Sequence, residues 1–282
     1  MSGMIERREP TAARREIRIA ALGDLHFDVD SRGQLRDLFA EIDRSADVLA
    51  LCGDLTTHGR PEEMRALIDE MTGLKAPIVA VLGNHDHEAG MPDQLTELLR
   101  ERGVHVLDGD HVVIDGLGFA GTKGFVGGFG RGALAPFGEK LVKDFVQGSI
   151  DEALKLENAL RNLRTEQKVV LLHFAPMVET VIGEPENIYP FLGSSRLLQP
   201  LDMIGATVVF HGHAHHGTPS ARTPGGIPVF NVALPLLEQS GHRYLLWTTP
   251  ATERRKPEPS ATTPAATAEA TDAAARVRAF KG

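Results

Sequence analysis

The sequence is poor in the features that mark several specialised classes of protein. It has one cysteine, Cys52, in 282 residues, so it cannot form an internal disulfide, which suits a reducing compartment. No apolar run approaches the roughly 20 residues that a membrane-spanning helix needs. The charged residues 1–10 are not followed by the apolar stretch of a signal peptide. We therefore expect a soluble, cytoplasmic protein.

Positive charge is also scarce. The chain has 30 Lys and Arg residues against 38 Asp and Glu residues, a formal net charge of −8, and only 5% of it is aromatic. Nucleic-acid binding usually needs a basic surface, often with aromatic side chains for stacking. The composition therefore argues against a nucleic-acid partner, although bound metal ions could still create a local positive site.

The ends of the chain differ in composition from its middle. Residues 1–16 are rich in Arg and Glu and are predicted to form a flexible arm. Residues 250–282 are rich in Ala, Thr and Pro, and they lack the apolar side chains that would offset the entropy of ordering. We predict that this tail is disordered and that residues 17–249 form one domain.

Short apolar segments alternate with amphipathic ones in this middle part. Continuous apolar strands that alternate with helices are typical of βαβ units and a parallel sheet, and short strands within residues 103–121 indicate a second or mixed sheet. The pattern predicts an α/β domain in which two packed sheets lie between helices. Strands are predicted at residues 17–22, 47–52, 77–82, 168–172, 207–210, 227–232 and 242–247. Helices are predicted at residues 34–44, 61–71, 92–102 and 149–164.

Five of the predicted strands run directly into residue types that bind metals. Ligands in α/β sheets bind outside the carboxyl ends of the strands, so these side chains are expected to converge on one crevice. Carboxylate, amide and imidazole donors together suit Mn, Fe or Zn. Taken singly, Asp-x-His and Gly-Asp are common in turns, but their repeated position at strand ends argues against coincidence. The candidates are Asp24 and His26, Asp54, Asn84 with His85 and Asp86, His173, and His213 with His215.

The order of these motifs resembles the calcineurin-like metallophosphoesterase superfamily across residues 24–215. The motifs are Asp24-x-His26, Gly53-Asp54, Gly83-Asn84-His85-Asp86, His173 and Gly212-His213-x-His215. The resemblance implies a four-layer α/β-β-α sandwich with two mixed sheets and a two-metal site at the carboxyl ends of the strands. It implies that one ion is held by Asp24, His26, Asp54 and His215. The second ion would be held by Asp54, Asn84, His173 and His213, so that Asp54 bridges the pair.

The same motifs narrow the expected subgroup and chemistry. Thr57 stands where the purple acid phosphatases of this superfamily carry a tyrosine, which disfavours that subgroup. The segment from Gly53 to Gly59 is similar to bacterial cyclic-nucleotide phosphodiesterase-like members. Two divalent ions offset by the carboxylates of Asp24 and Asp54 would leave about two positive charges, enough to attract a phosphate and stabilise a bridging hydroxide.

The expected function is metal-dependent hydrolysis of a small phosphoric ester, preferably a diester such as a cyclic nucleotide. The alternatives are a nuclease or phosphomonoesterase acting at the same site, and a non-catalytic metal-binding scaffold. The resemblance implies that His85 assists the leaving oxygen, with Asp86 able to orient its imidazole. The other interpretation of His85 is a structural residue behind the ligands.

Three features have open roles. The glycine-rich residues 121–132, with Lys123 and Arg131, form either a loop at the mouth of the site or a plain connector. The apolar stripe of the helix at residues 149–164 faces the core or, in a homodimer, a second copy. Cys52 follows an apolar run and is expected to be a small buried hydrophobic residue rather than a nucleophile.

Overall fold

The computed structural model describes residues 16–249. The predicted N-terminal arm, apart from Glu16, and the predicted C-terminal tail lie outside the described residues. None of the helices described within residues 16–249 combines the length and hydropathy that crossing a membrane would require.

The described chain consists of strands and helices in alternation. The strands are β1 (Arg18–Leu22), β2 (Val48–Cys52), β3 (Ile78–Val81), β4 (His105–Val106), β5 (Asp110–Ile114), β6 (Leu117–Thr122), β7 (Lys168–Leu172), β8 (Val208–His211), β9 (Ser220–Arg222), β10 (Pro228–Asn231) and β11 (Leu245–Thr248). The α-helices are α1 (Arg36–Ser45), α2 (Pro61–Glu70), α3 (Pro92–Glu101), α4 (Lys140–Asn162), α5 (Tyr189–Leu192), α6 (Leu198–Ile204) and α7 (Leu234–Gln239).

The strands form two mixed sheets. The first has the order β11-β1-β2-β3-β4, in which only β11 is antiparallel to its neighbour. The second has the order β5-β6-β7-β8-β10-β9, in which β6, β7, β8 and β10 are parallel and the edge strands are antiparallel. Both sheets therefore direct the carboxyl ends of their central strands towards loops that can carry a site.

Four layers result from the way these elements pack. Strands β2 and β3 lie against β6 and β7, and their side chains share one core, in which Leu49 and Val79 join Val169 and Leu171. Helices α1, α2 and α3 cover the first sheet, while α4 and α6 cover the second. Because β2 and β3 are covered on both faces, every residue in them is buried. The predicted α/β sandwich with two mixed sheets is confirmed.

Most predicted elements occur where the sequence placed them, with ends displaced by one to three residues, as is usual for fraying ends. The helix predicted at residues 149–164 is present but begins earlier than predicted, because α4 extends from Lys140 to Asn162. Its first six residues include the apolar Leu141, Val142 and Phe145, but all six residues are exposed in the structure. Further along α4, Val146, Leu156 and Leu160 are buried against the body of the protein, so the stripe faces the core.

Candidate metal centre

The predicted ligands lie on loops that continue the pairing of the strands. The Asp24 amide donates to the Gly53 carbonyl at 2.9 Å, and the His26 amide donates to the Asp54 carbonyl at 3.0 Å. On the second sheet, the Gly212 amide donates to the His173 carbonyl at 3.2 Å. The backbone thus remains hydrogen-bonded across neighbouring loops after the strands have ended, which fixes the positions of the side chains that follow.

These loops bring ligand-type side chains into three overlapping groups. In each group, the potential ligand atoms all lie within 4.8 Å of one another. Asp24 and Asp54 each belong to two of the groups, so both carboxylates stand between sets of histidines. The groups are Asp24, Asp54, His173 and His213; Asp24, His26 and His215; and His26, Asp54 and His85.

Asn84, the remaining predicted ligand, points its amide oxygen into the same space. The Asn84 Oδ1 atom lies 2.8 Å from the His173 Nε2 atom, and that nitrogen is 3.3 Å from Asp54 Oδ1. The structure therefore brings together all seven side chains that the sequence assigned to metal binding: Asp24, His26, Asp54, Asn84, His173, His213 and His215.

Two carboxylates are buried at the centre of this cluster. Asp24 is 2% exposed and accepts hydrogen bonds from the His213 amide and from His215 Nε2. Burial opposes ionisation of Asp24, but the hydrogen bond from His215 and the charge on His173 hold its pKa below the usual value. Asp54 is 1% exposed, and its pKa is held far below the usual range, because the charge and hydrogen bond of His173 outweigh burial. Both groups are therefore carboxylates at neutral pH.

The buried carboxylates also affect the pKa values of the neighbouring histidines. Burial alone would lower the pKa of His173, but the negative charge and hydrogen bond of Asp54 raise it to about 9. Burial, followed by the nearby charge on His173, lowers the pKa of His213 to about 4. His173 therefore carries a proton that a metal ion would have to displace, whereas His213 is already neutral, as a ligand must be.

Backbone carbonyls fix which ring nitrogen of three histidines faces the cluster. His213 Nε2 lies 3.1 Å from the Phe191 carbonyl, which leaves Nδ1 for an ion. His173 Nδ1 lies 3.0 Å from the Cys52 carbonyl, which leaves Nε2. His85 Nδ1 lies 2.7 Å from the Thr57 carbonyl, so its Nε2 faces the group that it forms with His26 and Asp54. Outer hydrogen bonds of this kind orient histidine ligands and set their tautomer.

One buried atom fits the expectation that the cluster holds a cation. Within residues 16–249, His26 Nε2 is inaccessible to solvent yet has no hydrogen-bond partner, and the nearest carboxylate oxygen, Asp54 Oδ2, is 3.9 Å away. Buried ring nitrogens are normally satisfied, so an unpaired one that faces carboxylates is explained by a missing partner such as a metal ion. The mixture of oxygen and nitrogen donors fits divalent transition metals.

The backbone of the cluster is held in an uncommon conformation. Five non-glycine residues in the described chain have positive φ, and four of them are predicted ligands: Asp24 (57°), His26 (41°), Asp54 (48°) and His213 (71°). Left-handed backbone at non-glycine residues is unfavourable and tends to occur where function requires it. The surrounding hydrogen bonds hold these four residues in a geometry that local preference alone would not select.

Glycines next to the ligands are required because a larger side chain would not fit, more than because the backbone must turn there. A Cβ atom on Gly83 would lie 2.1 Å from Asp54 Oδ1, and one on Gly212 would lie 2.2 Å from Asp24 Oδ2. Neither glycine has positive φ, whereas Gly53 has a φ of 82°. Gly83 and Gly212 are therefore needed so that the two central carboxylates can lie directly against the backbone of a neighbouring loop.

Asp86 has a different role from the one expected. The expectation that it orients the imidazole of His85 is corrected, because the His85 ring meets the Thr57 carbonyl instead. The Asp86 carboxylate is fully buried and accepts hydrogen bonds from the amides of Leu55, Thr56 and Gly83 and from the Thr56 hydroxyl. It thus ties the loop after β2 to the loop after β3, and it positions Asp54 and Asn84 relative to each other.

Three further residues near the centre were not among the predicted ligands. His211 is buried between Thr180 and the Gly212 carbonyl, and burial lowers its pKa to about 4, so it supports the loop as a neutral residue. Cys52 is fully buried, as expected, and burial raises the pKa of its thiol. Lys123 follows β6 directly, and its carbonyl accepts the amides of His173 and Phe174. Burial lowers the pKa of the Lys123 ammonium, while the charges of Glu152 and Asp54 oppose that shift.

Comparison with known proteins agrees with this geometry. Residues 17–217 match the sequence model of the calcineurin-like phosphoesterase family. A probable cyclic nucleotide phosphodiesterase from a Synechococcus species is 37% identical over 90 residues, which cover 28% of this chain. The match spans about a third, 34%, of that relative's length.

Two solved structures share the fold at low sequence identity. A phosphopantetheinyl hydrolase from Mycobacterium tuberculosis has a TM-score of 0.62 at 15% identity, covering 82% of this chain and 95% of the other. A putative 5′-nucleotidase from Staphylococcus aureus has a TM-score of 0.51 at 14% identity, covering 85% of this chain and 54% of the other. With the family match and the metal-binding cluster together, the chain belongs to the calcineurin-like phosphoesterase family.

The space around Gly83 generates a testable prediction. In Gly83→Ala, the added methyl group has to displace the Asp54 carboxylate, so the protein should lose most of its metal after reconstitution and desalting, measured by elemental analysis. Overpacking of this kind typically costs about 1–3 kcal/mol of stability. Gly132→Ala is the matched control, because a Cβ there meets no atom within 4 Å. Full metal content in Gly83→Ala would contradict the proposed crowding.

The raised pKa of His173 predicts how stability depends on pH. Its folded-state pKa of about 9 exceeds the unfolded value near 6.5, so its contribution is complete below pH 6.5 and is lost as the pH rises through 9. The metal-free protein should therefore lose up to about 1.4 kcal/mol per pH unit within this window, measured by urea unfolding. The metal-loaded protein, in which His173 is already deprotonated, serves as the reference and should lack this slope. A metal-free protein of constant stability from pH 6.5 to 9 would refute the assignment.

Proposed function

We propose that the protein hydrolyses phosphodiesters, using two divalent or transition-metal ions held by the seven-residue cluster. The observation that carries the proposal is the overlap of the donor groups. Asp24 and Asp54 each belong to two groups of potential ligands, as expected if two ions lie side by side and share a carboxylate. The family supplies the reaction class, and the named relatives act on, or are thought to act on, phosphate compounds.

The ligand assignment follows the grouping of the side chains. His26 and His215 lie with Asp24 on one side of the cluster, and His173 and Asn84 lie beside Asp54 on the other. Ions of Mn, Fe or Zn would suit these donors. When bound, such ions polarise phosphoryl oxygens and make water a better nucleophile. The chain's own residues orient the ligands and exclude water from the carboxylates.

Charge supports a diester as the substrate. Two divalent ions offset by Asp24 and Asp54 leave about two positive charges, and a bound hydroxide reduces them to about one. A diester phosphate carries about one negative charge and would nearly neutralise the site. Within the motifs no Lys or Arg stands ready for the second charge of a monoester. A cyclic nucleotide is one candidate diester, suggested by the printed name of the Synechococcus relative.

His85 is the proposed catalytic residue. Its Nδ1 atom is held by the Thr57 carbonyl, so Nε2 is the nitrogen that can exchange a proton with a bound ester. Its side chain is 39% exposed, in contrast to the buried His173, and a substrate can reach it. A protonated His85 would donate a hydrogen bond or a proton to the departing oxygen.

Metal-dependent turnover of a diester is the test of this function. The metal-reconstituted protein should hydrolyse bis(4-nitrophenyl) phosphate with a higher kcat/KM than 4-nitrophenyl phosphate, and a chelator should abolish the activity. Asp54→Asn should lose more metal than any other single ligand change, because Asp54 is the residue expected to bridge the two ions and its loss would weaken both sites.

Three outcomes would decide against the proposal. Metal content near zero after reconstitution, with activity indifferent to chelators, would favour a non-catalytic scaffold. A clear preference for the monoester would retain the metal centre but would assign it to a phosphomonoesterase. Turnover of nucleic acid in preference to small diesters would favour a nuclease, against the indication of the net charge of −8.

The His85 assignment predicts a separation of turnover from metal binding. His85→Ala should keep its metal content while kcat falls by about 10²–10⁴-fold, the usual range for a positioned general acid. Nitrophenyl esters should suffer less than alkyl esters, because nitrophenolate leaves without protonation. His58→Ala is the control, since that ring is paired with Glu63 and is outside the ligand groups. Loss of a metal ion in His85→Ala, with unchanged turnover per remaining ion pair, would make His85 a ligand or a structural residue.

A further inference from the structure

The side chain of Lys123 occupies an unusual position beside the metal centre. Its backbone is fixed there, because the Lys123 carbonyl accepts the amides of His173 and Phe174, both at 3.1 Å. Its ammonium lies 5.0 Å from the ring centre of Phe125 and 5.2 Å from that of Phe174. The ring of Phe174 is in turn 4.5 Å from the ring of His213. The ammonium and this candidate metal ligand therefore both lie beside the Phe174 ring.

The ammonium has hydrogen-bonding capacity to spare. It donates to the Gly124 carbonyl at 2.9 Å, and this accounts for one of its three N–H groups. Within residues 16–249, no carboxylate lies within ion-pair distance of Lys123. The nearby Glu152 instead accepts from the Thr122 hydroxyl, the Gly124 amide and Lys155. A half-buried ammonium without an anionic partner is ready to bind an anion.

The space around Lys123 can admit such an anion. Lys123 lines a cavity of about 90 Å³ together with His87, Arg100 and Leu82, so the Gly83-to-Asp86 motif is flanked by cavity residues on both sides. Asp93 and Asp108 also border the cavity, and Lys155 contacts both carboxylate oxygens of Asp108 at 2.9 Å while it also pairs with Glu152 at 2.8 Å. Three nitrogen-bearing side chains thus line a space beside the loop that carries Asn84 and His85.

From this arrangement we propose that Lys123 binds a second phosphate group of the substrate, separate from the phosphate that is cleaved. The inference rests on the proposed function, in which the metal ions take the scissile ester. None of the seven predicted ligands lines the cavity at Lys123, so the second phosphate would be bound apart from the first. The substrate class is therefore a phosphodiester that carries an additional phosphate monoester.

Two ligands that differ by one phosphate group test the proposal. Thymidine 5′-phosphate and thymidine 3′,5′-bisphosphate are titrated calorimetrically into the full chain loaded with Mn²⁺. The native protein should bind the bisphosphate about tenfold or more tightly, the usual size of a hydrogen bond to a charged group. Lys123→Met, which keeps the length of the side chain, should lose most of this preference, and Lys123→Arg should keep part of it.

Lys143→Met provides the control for general loss of positive charge. Lys143 is exposed on α4, outside the ligand groups and the cavity, and its variant should retain the native preference. Metal content and thermal unfolding are compared for all variants. If Lys123→Met does not fold, the decision rests on the native protein and on Lys123→Arg.

The outcomes separate this inference from the proposed function. Equal affinity of the native protein for the two ligands would overturn the phosphate subsite, as would a preference that persists in a folded Lys123→Met. A Lys123-dependent preference in a protein that hydrolyses no phosphoester would support the subsite while refuting the hydrolase. Hydrolysis of simple diesters without any preference for the bisphosphate would support the hydrolase while refuting the subsite.

Discussion

Burial of two carboxylates side by side is the constraint to which the rest of the site responds. Asp24 and Asp54 are nearly inaccessible to water, and like charges in that position raise each other's pKa. They stay ionised only because His173 and His215 supply charge and hydrogen bonds. The protonated His173 is, in this sense, a substitute for a cation in the metal-free protein. Metal ions that replace this proton would pair with both buried carboxylates, which matters because unpaired buried charges are costly.

The sequence predicted which side chains come together, because each of the predicted ligands follows an apolar strand. Buried strands are recognisable in a sequence as uninterrupted apolar runs, and polar ligand-type residues that follow them are easy to identify. The same reasoning failed for Asp86, whose sequence neighbour His85 suggested a pair. Its true partners, the amides of Leu55 and Thr56, are 30 residues or more away in the chain and leave no local pattern.

Other features were hidden for different physical reasons. The first turns of α4 were missed although Leu141, Val142 and Phe145 lie at helical spacing, and in the structure these three side chains are exposed. The requirement for glycine at Gly83 follows from the position of the Asp54 carboxylate, which is known only once two loops have been packed together. Lys123 carried a usable signal, because it follows β6 directly, as the ligands follow their strands. The glycines around it favoured a loop but gave no direction for the side chain.

The division of the ligands between the two sheets links metal binding to the packing of the sandwich. Asp24, His26, Asp54 and Asn84 follow strands of the first sheet, while the remaining three ligands follow strands of the second. An ion that is held by both sets is also a contact between the sheets, so its binding energy adds to the stability of the folded state. The backbone strain at four of the ligands is tolerable for the same reason. Hydrogen bonds across the loops oppose that strain in the metal-free protein, and the ion adds to them when it binds.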